Sequence, residues 1–126
     1  MGTRAFVGTG EDILIAGFVI SGSTSQTILV GASGPALEAF GLSGTLPDPQ
    51  LQILDDNKNL VASNLGWGGS PQIASASATV GAFAWSSPSS DDSAILITLP
   101  LGSYTAQVSG QGGDTGLALI EIYAVQ

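Results

Sequence analysis

The stretch Ala94-Ile95-Leu96-Ile97-Thr98-Leu99-Pro100-Leu101-Gly102-Ser103-Tyr104-Thr105-Ala106-Gln107-Val108-Ser109 decides the fold. Ile95, Ile97 and Leu99 fall on one face of an extended segment, and Tyr104, Ala106 and Val108 on one face of the next. That is the period of two expected of half-buried strands. Pro100 and Gly102 sit between them, where a turn needs a fixed φ and a permissive one. A second break at Gly110-Gln111-Gly112-Gly113-Asp114 precedes Leu117, Leu119 and the run to Ile122. These last three strands are expected to form a meander in the core.

Working outward, the same alternation with turn residues every eight to twelve positions predicts strands over residues 3–7, 13–21, 26–32, 50–55, 60–63, 94–99, 104–109 and 117–123. Two stretches depart from it. Pro35-Ala36-Leu37-Glu38-Ala39-Phe40-Gly41 has Pro at a first helical position and Gly just past the end, so one or two helical turns are expected. Residues 71–81 are Ala/Ser-rich with Ile73 and Val80 seven apart, which predicts a small amphipathic helix over one open end of the sheets. Ser86-Ser87-Pro88-Ser89-Ser90-Asp91-Asp92 is an exposed loop by composition. The expected fold is an all-β, jelly-roll-like antiparallel sandwich of about eight strands with one or two short helices. At 126 residues, 1–126 is expected to be a single domain.

Composition narrows the chemistry. The chain has neither His nor Cys, and two Lys+Arg stand against ten Asp+Glu, for a net charge of −8. Cys/His zinc sites, Ser-His-Asp and Cys-His relays and thiol redox couples are therefore excluded. Nucleic acid is not an expected partner, because affinity for phosphates rests on Lys and Arg. The longest apolar run, residues 13–20, is far short of the roughly 20 residues that cross a bilayer as a helix, so membrane insertion is not expected. Met1-Gly2 leads straight into a strand-like segment, so any signal peptide lies outside this sequence. A Gly/Ser/Thr-rich, acidic, cation-poor surface without Cys points to a secreted or cell-surface bacterial module.

Several local motifs resolve into turns. Asp114-Thr115-Gly116 matches the aspartic-protease triplet, yet only ten residues follow Gly116 and the triplet lies in a Gly-rich connection. Gly8-Thr9-Gly10-Glu11-Asp12 starts like a dinucleotide fingerprint but lacks the third Gly and the helix. Asp55-Asp56-Asn57-Lys58-Asn59 begins like a calcium loop, but Leu60 replaces the sharp-turn Gly and Gly66 the bidentate Glu, so a polar hairpin is expected. Lys58, in that turn, is not placed for an intramolecular cross-link. No acid/base pair or relay can be assembled, and an enzyme is not expected.

Two candidate sites remain. Calcium, the one cofactor considered, would need oxygens converging from separate loops: Asp48, Asp55, Asp91 and Asp92 are its candidate ligands. Trp67, in the glycine-flanked run Asn64-Leu65-Gly66-Trp67-Gly68-Gly69-Ser70, offers a flat apolar ring to a sugar, with Asn64 beside it; a ring folded over the sandwich edge is the plainer reading. Trp85, in Ala82-Phe83-Ala84-Trp85, is expected to be packed.

The segments Thr3 to Asp12, Leu14 to Gly22, Gly34-Pro35-Ala36-Leu37, Asp48-Pro49, Asn64 to Trp67, Leu99 to Gly110 and Thr115 to Tyr123 resemble a repeated module of large secreted proteins from environmental bacteria such as Verrucomicrobia. From Asp48-Pro49 through Pro100-Leu101-Gly102-Ser103-Tyr104-Thr105 to Tyr123, the layout is similar to bacterial pre-peptidase C-terminal domains, small jelly-roll-like sandwiches appended to secreted enzymes. That resemblance implies secretion, a sandwich and, in some members, binding of calcium or matrix polymers. Gly31 stands where the family often has Arg before the Ala-x-Gly-Pro segment, so any anion-binding role of that Arg is lost. The expected function is a non-catalytic accessory or adhesion module. The alternatives are a carbohydrate-binding module and a subunit that self-assembles through exposed β edges. The corresponding partners are polysaccharide, neighbouring domains of the parent protein, or a second copy in a homo-oligomer.

Overall fold

The computed structural model describes residues 2–82, 85 and 87–125. Eight strands form: β1 (Gly2–Val7), β2 (Leu14–Ile20), β3 (Gln26–Ser33), β4 (Pro49–Asp55), β5 (Leu60–Leu65), β6 (Ser93–Leu99), β7 (Gly102–Gly110) and β8 (Gly116–Val125). They make two four-stranded antiparallel sheets, ordered β1-β8-β3-β6 and β2-β7-β4-β5. Strands pair as nested couples, β4 with β5, β3 with β6, β2 with β7 and β1 with β8. Successive couples alternate between the sheets, which is a long ribbon wrapped into a jelly roll.

This topology corrects the expected meander. β6 and β8 flank β3 in one sheet while β7 belongs to the other, so both Pro100-Leu101 and Gln111–Gly113 cross between sheets. Pattern within a strand specifies a face, and it does not specify which strand lies alongside. The phase of the last strand also differs: Ala118, Ile120 and Ile122 join the core, and Leu117 and Leu119 lie on the opposite face.

The inner faces supply the core. Val30, Leu51, Ile53, Ala106, Val108 and Ile120 are at most 1% exposed and interdigitate between the sheets. Tyr104 pins the β6–β7 crossing. Its hydroxyl donates to the Pro100 carbonyl at 2.9 Å and its ring stacks on Phe18 at 5.6 Å, so one side chain holds the turn and fills the core.

The first expected helical stretch is a 3-10 helix, Pro35–Phe40, closed by Gly41 in the left-handed region. The other is α1 (Pro71–Val80), with Pro71 in its first turn, Ser70 as N-cap accepting from the Ile73 amide, and Gly81 as a left-handed C-cap. It lies on the outer face of the first sheet, against β3, β6 and β8, and not over an open end. The reason is in β3 and β6. Leu29, Ala94 and Leu96 point outward and need cover, which Ile73, Ala76 and Val80 provide at helical spacing. The other sheet keeps an uncovered outer face where Ile15 and Val19 are exposed.

Tyr104→Phe removes the bond to Pro100 and keeps the ring. The expected loss is about 1 kcal/mol, a fall in Tm of about 4 °C, measured by thermal unfolding.

Candidate functional site: a buried corner and a tryptophan cleft

Three of the candidate residues, Asn64, Trp67 and Asp92, meet at one corner of the sandwich, where β5 ends beside the start of β6. Asn64 lies in β5, and its Oδ1 accepts from the Ala94 amide of β6 at 3.0 Å, bridging the two sheets. Ser93 Oγ donates to the Pro49 carbonyl at 2.6 Å and accepts from the Gly66 amide at 3.1 Å. Asp92, fully buried, accepts from the Gly34 and Ala36 amides through Oδ1, at 2.7 and 3.2 Å, and its carbonyl takes the Trp67 amide at 2.9 Å. Its other oxygen, Oδ2, has no hydrogen-bond partner among the described residues. Asp92 therefore does not share the exposure expected of its Ser-rich loop; it satisfies the start of the 3-10 helix from below. Gly34 also lets the chain at Leu46 come close, since a Cβ there would run into the Leu46 carbonyl oxygen.

The four candidate calcium acids do not gather into one site. Asp55 belongs to the β4–β5 hairpin, where Oδ1 accepts from the Asn57 and Asn59 amides at 2.9 Å each and Lys58 adopts a positive φ of 63°. The amide of Asn59 foremost holds the Asp55 carboxyl below its usual range, which fits a turn-closing acceptor. Asp48 and Asp91 are neighbours, with Asp114 nearby. Desolvation, then the charges of Asp91 and Asp114, raise the Asp48 carboxyl above its usual value. Asp92 faces inward. Among the described residues no three acids come together as a group that could hold a metal ion.

Trp67 follows Gly66 in the connection from β5 to α1, and its half-buried ring meets Trp85 edge-on at 5.2 Å and 60°. The indole N–H of Trp67 donates to Ser90 Oγ at 3.1 Å and to the Ser87 carbonyl at 3.3 Å; that of Trp85 donates to Ser33 Oγ at 2.6 Å. Phe83, Ala84 and Ser86, which flank Trp85 in the sequence, lie outside the described residues. Trp85 packs as expected, its ring lying over Gly31, where a Cβ would be 3.6 Å away. Between the two indoles and the small residues Ala74, Ser77, Ala78, Gly81 and Ala82 of α1 and its end lies a cleft of about 360 Å³. Trp67 packs at the sandwich edge, the plainer reading from the sequence, and it also lines a cleft. The role of Trp85 as second wall and of α1 as floor was not anticipated. The signal was the run of Ala and Ser at residues 74–78, a helix face too small to fill the space beside two indoles.

Asp92→Ala leaves two buried amides unpaired, and the expected cost is about 3 kcal/mol in urea unfolding, with Asp92→Asn milder because one oxygen still accepts. Asp48→Asn is expected to raise Tm at neutral pH. A folded-state carboxyl above its unfolded value of 3.8 holds its proton more tightly when folded, so its ionisation opposes folding; the gain should vanish as pH falls through that value. Melting curves from neutral to acid pH check the sign.

The likeness to known proteins lies in the fold. No family model and no curated protein matches the chain. Among solved structures, the chain is similar to the pre-peptidase C-terminal domain of a collagenase from Bacillus anthracis, at a TM-score of 0.57 and 9% identity over 98% of this chain and 88% of that one. The chain, built of two four-stranded antiparallel sheets, accordingly shares a β-sandwich fold with that domain.

Proposed function

We propose that the domain is a non-catalytic accessory module of a secreted or cell-surface protein, and that the cleft beside Trp67 and Trp85 receives a polysaccharide. The observation carrying this reading is the disposition of the two indoles. Both N–H groups are used internally, so the rings are fixed in orientation and only their apolar faces remain for a ligand. Fixed aromatic faces suit the C–H face of a sugar ring, and locking them beforehand lowers the ordering cost of binding. The accessory role is supported by the fold likeness to a domain of a larger collagenase, an argument from architecture and not from site chemistry. A net charge of −8 and the near absence of cations direct the partner class toward neutral polymers. Calcium is not part of this proposal: the carboxylates of Asp92 and Asp55 are engaged by backbone amides, and Asp48 and Asp91 stand as two neighbouring acids.

Ser77→Met from α1 fills the cleft without altering either indole. Retention of the native domain on insoluble polysaccharides, lost in Ser77→Met at a Tm within about 2 °C of the native one, is the expected result. Absence of retention of the native domain across a polysaccharide panel overturns the reading.

A further inference from the structure

The jelly roll leaves four edge strands, β1 and β6 in one sheet, β2 and β5 in the other, and three of them are defended. β1 carries Arg4. The first residues of β6 are tied to Asn64 and Gly66, and Asp92 just before the strand to Trp67. β5 is party to that tie and loses register against β4 between Ile53 and Leu54. β2, Leu14-Ile15-Ala16-Gly17-Phe18-Val19-Ile20, has no charge, no proline and no bulge against β7, which are the usual devices that stop edge pairing. Two of its side chains, Ile15 and Val19, stand 52% and 66% exposed on the uncovered outer face.

We propose that β2 is a homodimerisation strand, pairing antiparallel with β2 of a second copy about a two-fold axis at Gly17. The sequence of the strand is complementary to itself in that register. Ile15 lies opposite Val19 of the second copy on the outer face, Ala16 opposite Phe18 and Leu14 opposite Ile20 toward the cores, each a hydrophobic cross-strand pair. Charge selects the same orientation. Glu11 and Asp12 precede β2, whereas Ser21-Gly22-Ser23-Thr24-Ser25 follows it. Antiparallel pairing sets Asp12 beside Gly22 and Glu11 beside Ser23 of the second copy; parallel pairing would stack acid on acid in a chain already at −8. The two outer sheets would then run on as one of eight strands, with the Trp67 cleft of each copy left free on the other sheet. This inference stands apart from the polysaccharide reading, and neither depends on the other.

Light scattering on the native chain over a wide concentration range tests it, with Val19→Lys as the edge-blocking variant and circular dichroism to verify folding. The expected molar mass climbs from 12.5 kDa toward twice that value, and Val19→Lys stays at 12.5 kDa with an unchanged melt. Because the chain contains no Cys, Gly17→Cys introduces a unique thiol, and the nearest outside atom to its Cβ, the Tyr104 carbonyl oxygen, is 4.0 Å away. Paired Cα atoms about 5 Å apart across the axis meet disulfide geometry, so Gly17→Cys should cross-link about tenfold faster than Val61→Cys on β5. A monomer mass at every concentration overturns the proposal, as does a dimer that persists in Val19→Lys or cross-links faster through residue 61.

Discussion

The burial of one aspartate organises the corner on which both sheets close. A carboxylate removed from water is tolerable only where donors replace its hydration, and Asp92 receives them from Gly34 and Ala36. Ser93 and Ala94 extend the connection to Pro49, Asn64 and Gly66, so three consecutive residues join the start of the 3-10 helix, β4 and the end of β5 to β6. Hydrophobic burial between the sheets is non-directional and would tolerate sliding. Directional bonds to fixed backbone groups remove that freedom and set the relative placement of the sheets at this end.

The same corner fixes the site. The Trp67 amide is held by the Asp92 carbonyl and the Trp67 ring by Ser87 and Ser90, so the indole is anchored at both its ends before α1 begins. Gly31 contributes by having no side chain, since the Trp85 ring lies in the space a larger residue would claim. The cleft is thus a by-product of how one sheet is covered: a helix rich in Ala and Ser beside two large aromatics leaves room that a Leu-rich helix would fill.

Much of the strand set was legible in the sequence because alternation is a local property: the expected strands match the observed ones to within one residue, save at the ends of 60–63 and 117–123 and the start of 104–109, where the difference is two. The helix over 71–80 was legible through Pro71 and Gly81, its end signals. Sheet membership was not, since Leu99 and Tyr104 look the same whether the turn between them is a hairpin or a crossing. Asp92 was misjudged for a related reason. Six neighbours rich in Ser and Pro describe the loop, but whether one carboxylate points in or out depends on amides at residues 34 and 36, far away in the sequence. Trp67 was legible as a candidate, whereas its partnership with Trp85 depends on tertiary placement alone.

The nested pairing of the ribbon has a consequence for synthesis. Asp55 to Asn59 is the turn from which the couples radiate, and it lies near the middle of the chain. β4 and β5 can meet as soon as they are made, but β2 must wait for β7 and β1 for β8, the last strands to emerge. The strand with the least protected edge therefore remains without its intramolecular neighbour until β7 has been made. Its late closure makes the nascent chain, more than the finished domain, the form in which intermolecular capture has to be avoided.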